Sequence, residues 1–294
     1  MATISVIMAT YNGASWIGKQ LDSIVNQTLP PAEIIICDDR STDATAKILE
    51  SYASHPLVSI FINEQQLGVT ANFRKACSLC NPEHFVAFAD QDDIWVPMKL
   101  EHLWKEMNNL MPGDKPALVF SDLAVIDADD RVIAPSFWER QQINIAHLQF
   151  STLLFGNAVT GCTMLINPAM ADEFKKVESA GFLHDAWLAL IAYSFGKAKL
   201  VREQLVLYRQ HTSNLTFPEN YEGPSFKNSL KAVFNFATGK KQFLGERIAL
   251  AKHFLSVYGD RLSLKDKHNL QKFIELEHKS YPVKRLHRYL ASRR

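Results

Sequence analysis

No stretch of this 294-residue chain is long and apolar enough to cross a bilayer as a helix. The longest candidate, Ala186 to Phe195, falls far below the ~20 residues that a spanning helix needs. The pattern of a secretory leader is missing too, because Ile4 to Ala9 is short and no basic residue precedes it. A cytoplasmic protein is expected. Cysteine is scarce: the four residues Cys37, Cys77, Cys80 and Cys162 provide no disulfide framework. Cys77 and Cys80 have the spacing of half a zinc or redox site, yet no second Cys or His pair matches them. Phe73, Ala76, Cys77 and Cys80 instead share helical spacing, so the thiols read as core. A calcium loop of the EF-hand type is also excluded. The glycine it requires at its sixth position is Trp95 in one acidic run and Val132 in the other.

What is present is an ordinary globular composition, 47% hydrophobic, with ample length for a core. The net charge of +1 hides an asymmetry. Residues 225–294 hold 16 Lys and Arg against 5 Asp and Glu, a balance of +11; residues 1–224 balance at −10. An acidic body with a basic tail points to two jobs.

The first half alternates strand and helix patterns. Apolar runs at Thr3 to Ala9, Glu33 to Cys37, Leu57 to Ile62 and His84 to Phe88 are of buried-strand length. Between them, Ile17, Leu21, Ile24 and Val25 mark one helix, and Ala44 to Tyr52 a second with Ser41 as its expected N-cap. After Asp93, Leu100, Leu103, Trp104 and Met107 share a helix face, with Pro97 expected in its first turn. This alternation predicts an α/β fold with a doubly wound, mainly parallel sheet, and such sheets bind ligands at the carboxyl ends of their strands. Three polar clusters fall there: Thr10-Tyr11-Asn12, Asp38-Asp39, and Asp90-Gln91-Asp92-Asp93. Carboxylates crowded at one edge repel unless they share a cation, and Mg²⁺ is held by one or two carboxylates plus substrate phosphates. The acidic run therefore reads as a metal and diphosphate clamp, against the alternative of a solvated turn that opens a helix.

Further on, Asp127 to Arg131 is flanked by Val125-Ile126 and Val132-Ile133 and reads as a hairpin turn. Phe150 to Ile166 is apolar but interrupted by Gly156-Asn157 and Thr160-Gly161-Cys162; a packed turn and an acceptor-site wall both remain open for it. Asp185 opens an apolar helix, where an acidic residue favours the dipole.

The motifs Val6 to Asn12, Cys37 to Asp43 and Asp90 to Asp93 together make residues 1–215 resemble the family 2 glycosyltransferases. The resemblance implies a GT-A fold, with Thr10, Tyr11, Asn12, Asp38, Asp39, Asp90 and Gln91 around the nucleotide sugar. It also implies Asp92 on Mg²⁺ or Mn²⁺ and Asp185 as the catalytic carboxylate of an inverting enzyme. His184-Asp185-Ala186-Trp187 and Tyr208-Arg209-Gln210-His211 look like the rhamnosyltransferase subgroup. In this comparison Arg209 reaches the diphosphate and His211 the diphosphate or the metal. The implied donor is dTDP-L-rhamnose or a UDP-hexose, and the acceptor a growing glycan or lipid-linked oligosaccharide. The Gln-x-x-Arg-Trp signature of processive synthases is absent.

A catalytic domain is thus expected at 1–220 and a basic helical extension at 221–294. The last stretch, Lys279 to Arg294, carries six basic residues and no acidic one. It reads either as solvated helix or as a contact with anionic lipid on the inner membrane face, and the unmatched charge favours the lipid. The acidic body argues against nucleic acid. Two rivals stand beside this reading. A sugar nucleotidyltransferase would carry a glycine-rich loop where Thr10-Tyr11-Asn12-Gly13 stands. A non-catalytic sugar-nucleotide-binding protein would have no need of Asp185.

Overall fold

A computed structural model describes residues 3–177, 182–211, 214, 244–280 and 283–284. Its first half is the expected alternation: β1 (Ile4–Thr10), α1 (Ile17–Val25), β2 (Glu33–Asp38), α2 (Thr45–Tyr52), β3 (Val58–Ile62), α3 (Val69–Leu79) and β4 (Phe85–Asp90). These strands are parallel, with β1 between β2 and β4 and β3 outside β2. Ile4, Val6, Ile7 and Met8 are all buried, because helices cover both faces of a parallel sheet and leave no alternation of polar residues.

Two local expectations are corrected. Ser41 does not cap α2, whose N-cap position is Ala44 with no side-chain cap; the Asp43 carboxylate accepts from the Thr45 N–H at 2.9 Å. Ser41 instead turns back and donates to Asp38 at 2.6 Å. Pro97 lies before the next helix, α4, rather than in its first turn, because a two-residue strand, β5 (Ile94–Trp95), intervenes; α4 runs Lys99–Leu110.

The second half holds β6 (Ala117–Ile126), β7 (Val132–Ala134), the short helices α5 (Phe137–Arg140) and α6 (Phe150–Leu153), then β8 (Met164–Ile166), α7 (Pro168–Lys175), α8 (His184–Ser194) and β9 (Lys197–Arg209). The sheet order is β3-β2-β1-β4-β8-β6-β9-β5, with β7 on β6. β8 lies antiparallel between β4 and β6, whereas β9 runs parallel to β6. Since β9 is 13 residues long, it delivers Arg209 and His211 to the edge where β1, β2 and β4 end. The hairpin at 127–131 forms as read, closed by Asp127 accepting from the N–H groups of Asp129 and Arg131.

Two C-terminal helices, α9 (Gly245–Tyr258) and α10 (Leu264–Glu275), join the same hydrophobic core as the body. Phe254 packs on Trp187 and Phe150, and Phe273 on Phe155. Glu173 of α7 accepts from Tyr258 at 2.8 Å and Arg261 at 2.7 Å. The expected boundary between residues 220 and 221 lies outside the described residues, as does most of 279–294.

Candidate active site

The polar clusters do meet at one edge, but several of their members face inward. Asp38 is buried and accepts from Thr10 Oγ1 at 2.7 Å and from the Ser41 N–H at 2.8 Å. Asp39 is buried as well; its carboxylate takes the Asn63 amide and the Leu67 and Gly68 N–H groups, all within 2.8 Å. Gly68 is suited to that loop because its φ is +80°. Gln91 pairs its amide with both the N–H and the carbonyl of Tyr11, at 2.8 and 2.9 Å. That pairing needs a glycine at position 13, where a Cβ would come within 2.2 Å of Gln91 Oε1. The sequence reading put Thr10, Asp38, Asp39 and Gln91 on the ligand. In the structure their polar atoms brace the loops that frame the edge, leaving the Tyr11 ring, 45% exposed, and Asn12 on its surface. Asn12, with φ of +50°, accepts from the Thr42 N–H at 2.8 Å.

The acidic run splits by direction. Asp92 faces the edge, its Oδ2 2.8 Å from His211 Nε2. The His211 ring stacks on Trp16 with centroids 4.1 Å apart. Asp93 turns wholly inside and accepts from the Arg209 N–H at 3.2 Å. Asp90 is partly covered. Burial, then the charges of Asp92 and Asp185, push its pKa up to about 7, against the opposing pull of Lys99.

Arg209 is a correction to the sequence reading. Its guanidinium is fully buried, not presented to a diphosphate. It donates to the Asp92 carbonyl at 2.9 Å and the Asp127 carbonyl at 3.0 Å, and lies 2.5 Å from the Asp130 carboxylate. The hairpin after β6 folds over the end of β9 and takes up Nη1 of the guanidinium, while Nη2 is buried without a hydrogen-bond partner. Lys19, first, and Arg209 hold the Asp130 carboxyl below the usual range.

Beneath the edge, ligand-type atoms of Asp90, Asp93 and Cys162 lie within 4.8 Å of one another. A buried ammonium, Lys99, shares this cluster. Burial raises the Asp93 carboxyl and the Cys162 thiol well above their usual ranges and lowers Lys99 to about 7.

On the other side, Asp185 lies in the first turn of α8. The Ala186 N–H donates to it at 2.5 Å, and the Gly161 backbone, the Asn157 side chain and the positive charge of Arg247 on α9 also favour its ionised form. Burial outweighs them and moves its pKa up to about 6. Its neighbour His184 points the opposite way, into a pocket of Phe73, Phe88 and Phe174. Burial takes that imidazole down to about 3. The segment 150–166 packs, with Phe150, Leu153, Val159 and Cys162 buried. Sequence reasoning missed Trp16, Lys99 and Arg247. Lys99 alone left a sign, a cation in the first turn of a helix, where the dipole disfavours it.

The family model "Glycosyl transferase family 2" matches residues 5–114. The dTDP-rhamnosyl transferase RfbG of Shigella flexneri is 31% identical over 225 residues, covering 70% of this chain and 72% of that protein. The chondroitin synthase of Escherichia coli is 28% identical over 188 residues, 60% of this chain but 27% of the synthase. Among solved structures, S. aureus TarS 1–349 in complex with UDP-GlcNAc superposes with a TM-score of 0.63 at 16% identity, over 95% of this chain and 73% of that one. At that identity the likeness speaks for the GT-A fold alone.

Proposed function

Because the chain belongs to glycosyltransferase family 2, we propose that it transfers a single sugar, with inversion, from a nucleoside diphosphate to a hydroxyl of a growing glycan or lipid-linked oligosaccharide. Family membership sets aside the nucleotidyltransferase rival. The observation that carries the proposal is that the turn at 161–163 joins the two halves of the chain: Cys162 lies within 4.8 Å of the Asp90 and Asp93 carboxylates, and Gly161 packs against His184, the neighbour of Asp185. The donor lies at that edge, over Tyr11, Asn12 and Asp90. A dTDP-L-rhamnose donor is favoured by the Shigella relative, with a UDP-hexose second.

Mg²⁺ or Mn²⁺ fits the pair Asp92 and His211, a carboxylate oxygen and an imidazole nitrogen side by side at the open edge. Bound there, the cation would neutralise charge on the departing diphosphate. The protein's own part is proton transfer and alignment. Asp185 accepts the proton of the acceptor hydroxyl as that oxygen attacks the anomeric carbon. The bond from this carbon to the diphosphate oxygen breaks, and its electron pair leaves with the nucleoside diphosphate. A pKa of about 6 keeps Asp185 ionised at neutral pH while making it a stronger base than an ordinary aspartate. The extension at 221–294 docks the catalytic domain, 1–220, on an anionic membrane surface.

Nucleotide release from a panel of sugar nucleotides, with and without a lipid-linked acceptor, tests this reading. Release is expected from dTDP-L-rhamnose or one UDP-hexose, only with acceptor, abolished by EDTA and restored by Mg²⁺ or Mn²⁺. Asp92→Ala should lose it while staying folded. Full activity of Asp92→Ala in chelator would remove the metal from the account, and release from no donor would remove the transfer.

A further inference from the structure

Trp16 stands at the N-cap of α1 and gives that helix no side-chain cap. Serine, threonine, aspartate or asparagine would cap this end, so the indole serves something other than the helix. Residues 16, 19 and 20 share one helix face, and all three reach across to the acidic edge. Gln20 donates to the Asp90 carbonyl at 2.9 Å. Lys19 pairs with the Asp130 carboxylate, which also takes Arg209. The Trp16 ring lies flat on that of His211, with centroids 4.1 Å apart and planes 18° from parallel.

The backbone around His211 is fixed without Trp16. The His211 N–H goes to the Asn214 side chain, and the Asn214 amide donates back to the Arg209 carbonyl at 3.0 Å. The Gln210 N–H meets the Ile126 carbonyl at 2.8 Å. A histidine ring nevertheless turns in a broad well about its last side-chain bond, so this backbone does not aim Nε2. Two side chains do. Asp92 Oδ2 lies 2.8 Å from Nε2, and the indole covers one face of the imidazole. An imidazole that ligates a cation takes on positive charge, which the negative face of an indole favours.

We propose that Trp16 is a positioning residue, whose ring holds the His211 imidazole beside the Asp92 carboxylate so that one divalent cation meets both. The helix that follows the Tyr11-Asn12 loop thereby sets the nitrogen ligand of the metal. This rests on the reading of Asp92 and His211 as the metal pair.

Mn²⁺ alone is the probe, its binding followed by loss of the free-ion electron paramagnetic resonance signal. Trp16→Ala should weaken the Mn²⁺ Kd about tenfold, the low end for losing a group that orients a metal ligand. Trp16→Phe keeps a flat ring and should stay within about threefold of wild type. Trp16→Leu fills space without a flat face and should behave as Trp16→Ala does. The same indole also faces the Arg209 guanidinium, with Cζ 6.0 Å from its centre, and a double-variant cycle separates the two routes. In the His211→Ala background, adding Trp16→Ala should leave the Kd where it is. Wild-type affinity in Trp16→Ala and Trp16→Leu, or an equal loss from Trp16→Ala with and without His211, would overturn the proposal. Failure of all three Trp16 variants to fold would do the same, by making the ring a part of the core. The metal reading fails by a different result, and takes the proposal with it: Asp92→Ala and His211→Ala binding Mn²⁺ as the wild type does.

Discussion

Asp185 and His184 are adjacent in sequence and opposite in environment. One carboxylate accepts from the first turn of its own helix, at the Ala186 N–H, and one imidazole is packed among three phenylalanine rings. Asp185→Asn preserves the shape and removes the basic oxygen, so kcat should drop by roughly 10²–10⁴-fold with nucleotide binding nearly intact. In the wild type, kcat/KM should fall about tenfold per pH unit below an acid limb near 6, the pKa to which burial raises Asp185. Its stability effect has the opposite sense. A carboxyl whose folded pKa lies above its unfolded value favours the folded state while protonated, and that stability is lost as pH rises from about 4 to about 6. Asp185→Asn should therefore melt higher than wild type at pH 7.5, and the difference should disappear near pH 4. A melting temperature unchanged at both pH values would show that Asp185 carries no burial penalty. His184→Ala should instead lose stability through the hole it leaves and affect kcat less than Asp185→Asn does.

At the level of elements, α9 is where the extension meets the body. Phe254 is fully buried and shares ring contacts with Phe150, Trp187 and Tyr258. Phe254→Ala should cost about 3–5 kcal/mol, read as a lower urea midpoint; an unchanged midpoint would mean that α9 is not part of the core. The parallel half of the sheet was legible because its strands are unbroken apolar runs between amphipathic helices. β5 was not, since two residues carry no pattern, nor was the antiparallel placement of β8, a three-residue strand inside a longer apolar stretch. The site was legible by position more than by contact. Thr10, Asp38, Asp39 and Gln91 reach the predicted edge, but residue type does not say whether a polar group at a strand end points to a ligand or to its own loop. Arg209 shows the same ambiguity: the guanidinium geometry that suits a diphosphate also suits the carbonyls and carboxylate of the 127–130 turn. Lys99 escaped notice because the carbonyl that takes its ammonium, that of Cys162, is distant in sequence.

For the molecule as a whole, charge is unevenly spread, with a balance of +11 in residues 225–294 against −10 in the rest. Among the described residues no helix is long and apolar enough to cross a membrane; the proposed docking role rests instead on attraction of basic charge to anionic headgroups. Removing residues 279–294 should reduce cosedimentation with anionic vesicles and leave transfer to a short soluble acceptor in place. Salt should weaken the intact protein's binding, and indifference of the intact protein to such vesicles at low salt would contradict the docking role. The central claim is a single displacement, with Asp185 taking the acceptor proton beside the acidic edge. It is tested most directly by the anomeric configuration of the transferred sugar, read by proton NMR on the first product formed. The account predicts the configuration opposite to that of the donor; a product that retains the donor's configuration would contradict it.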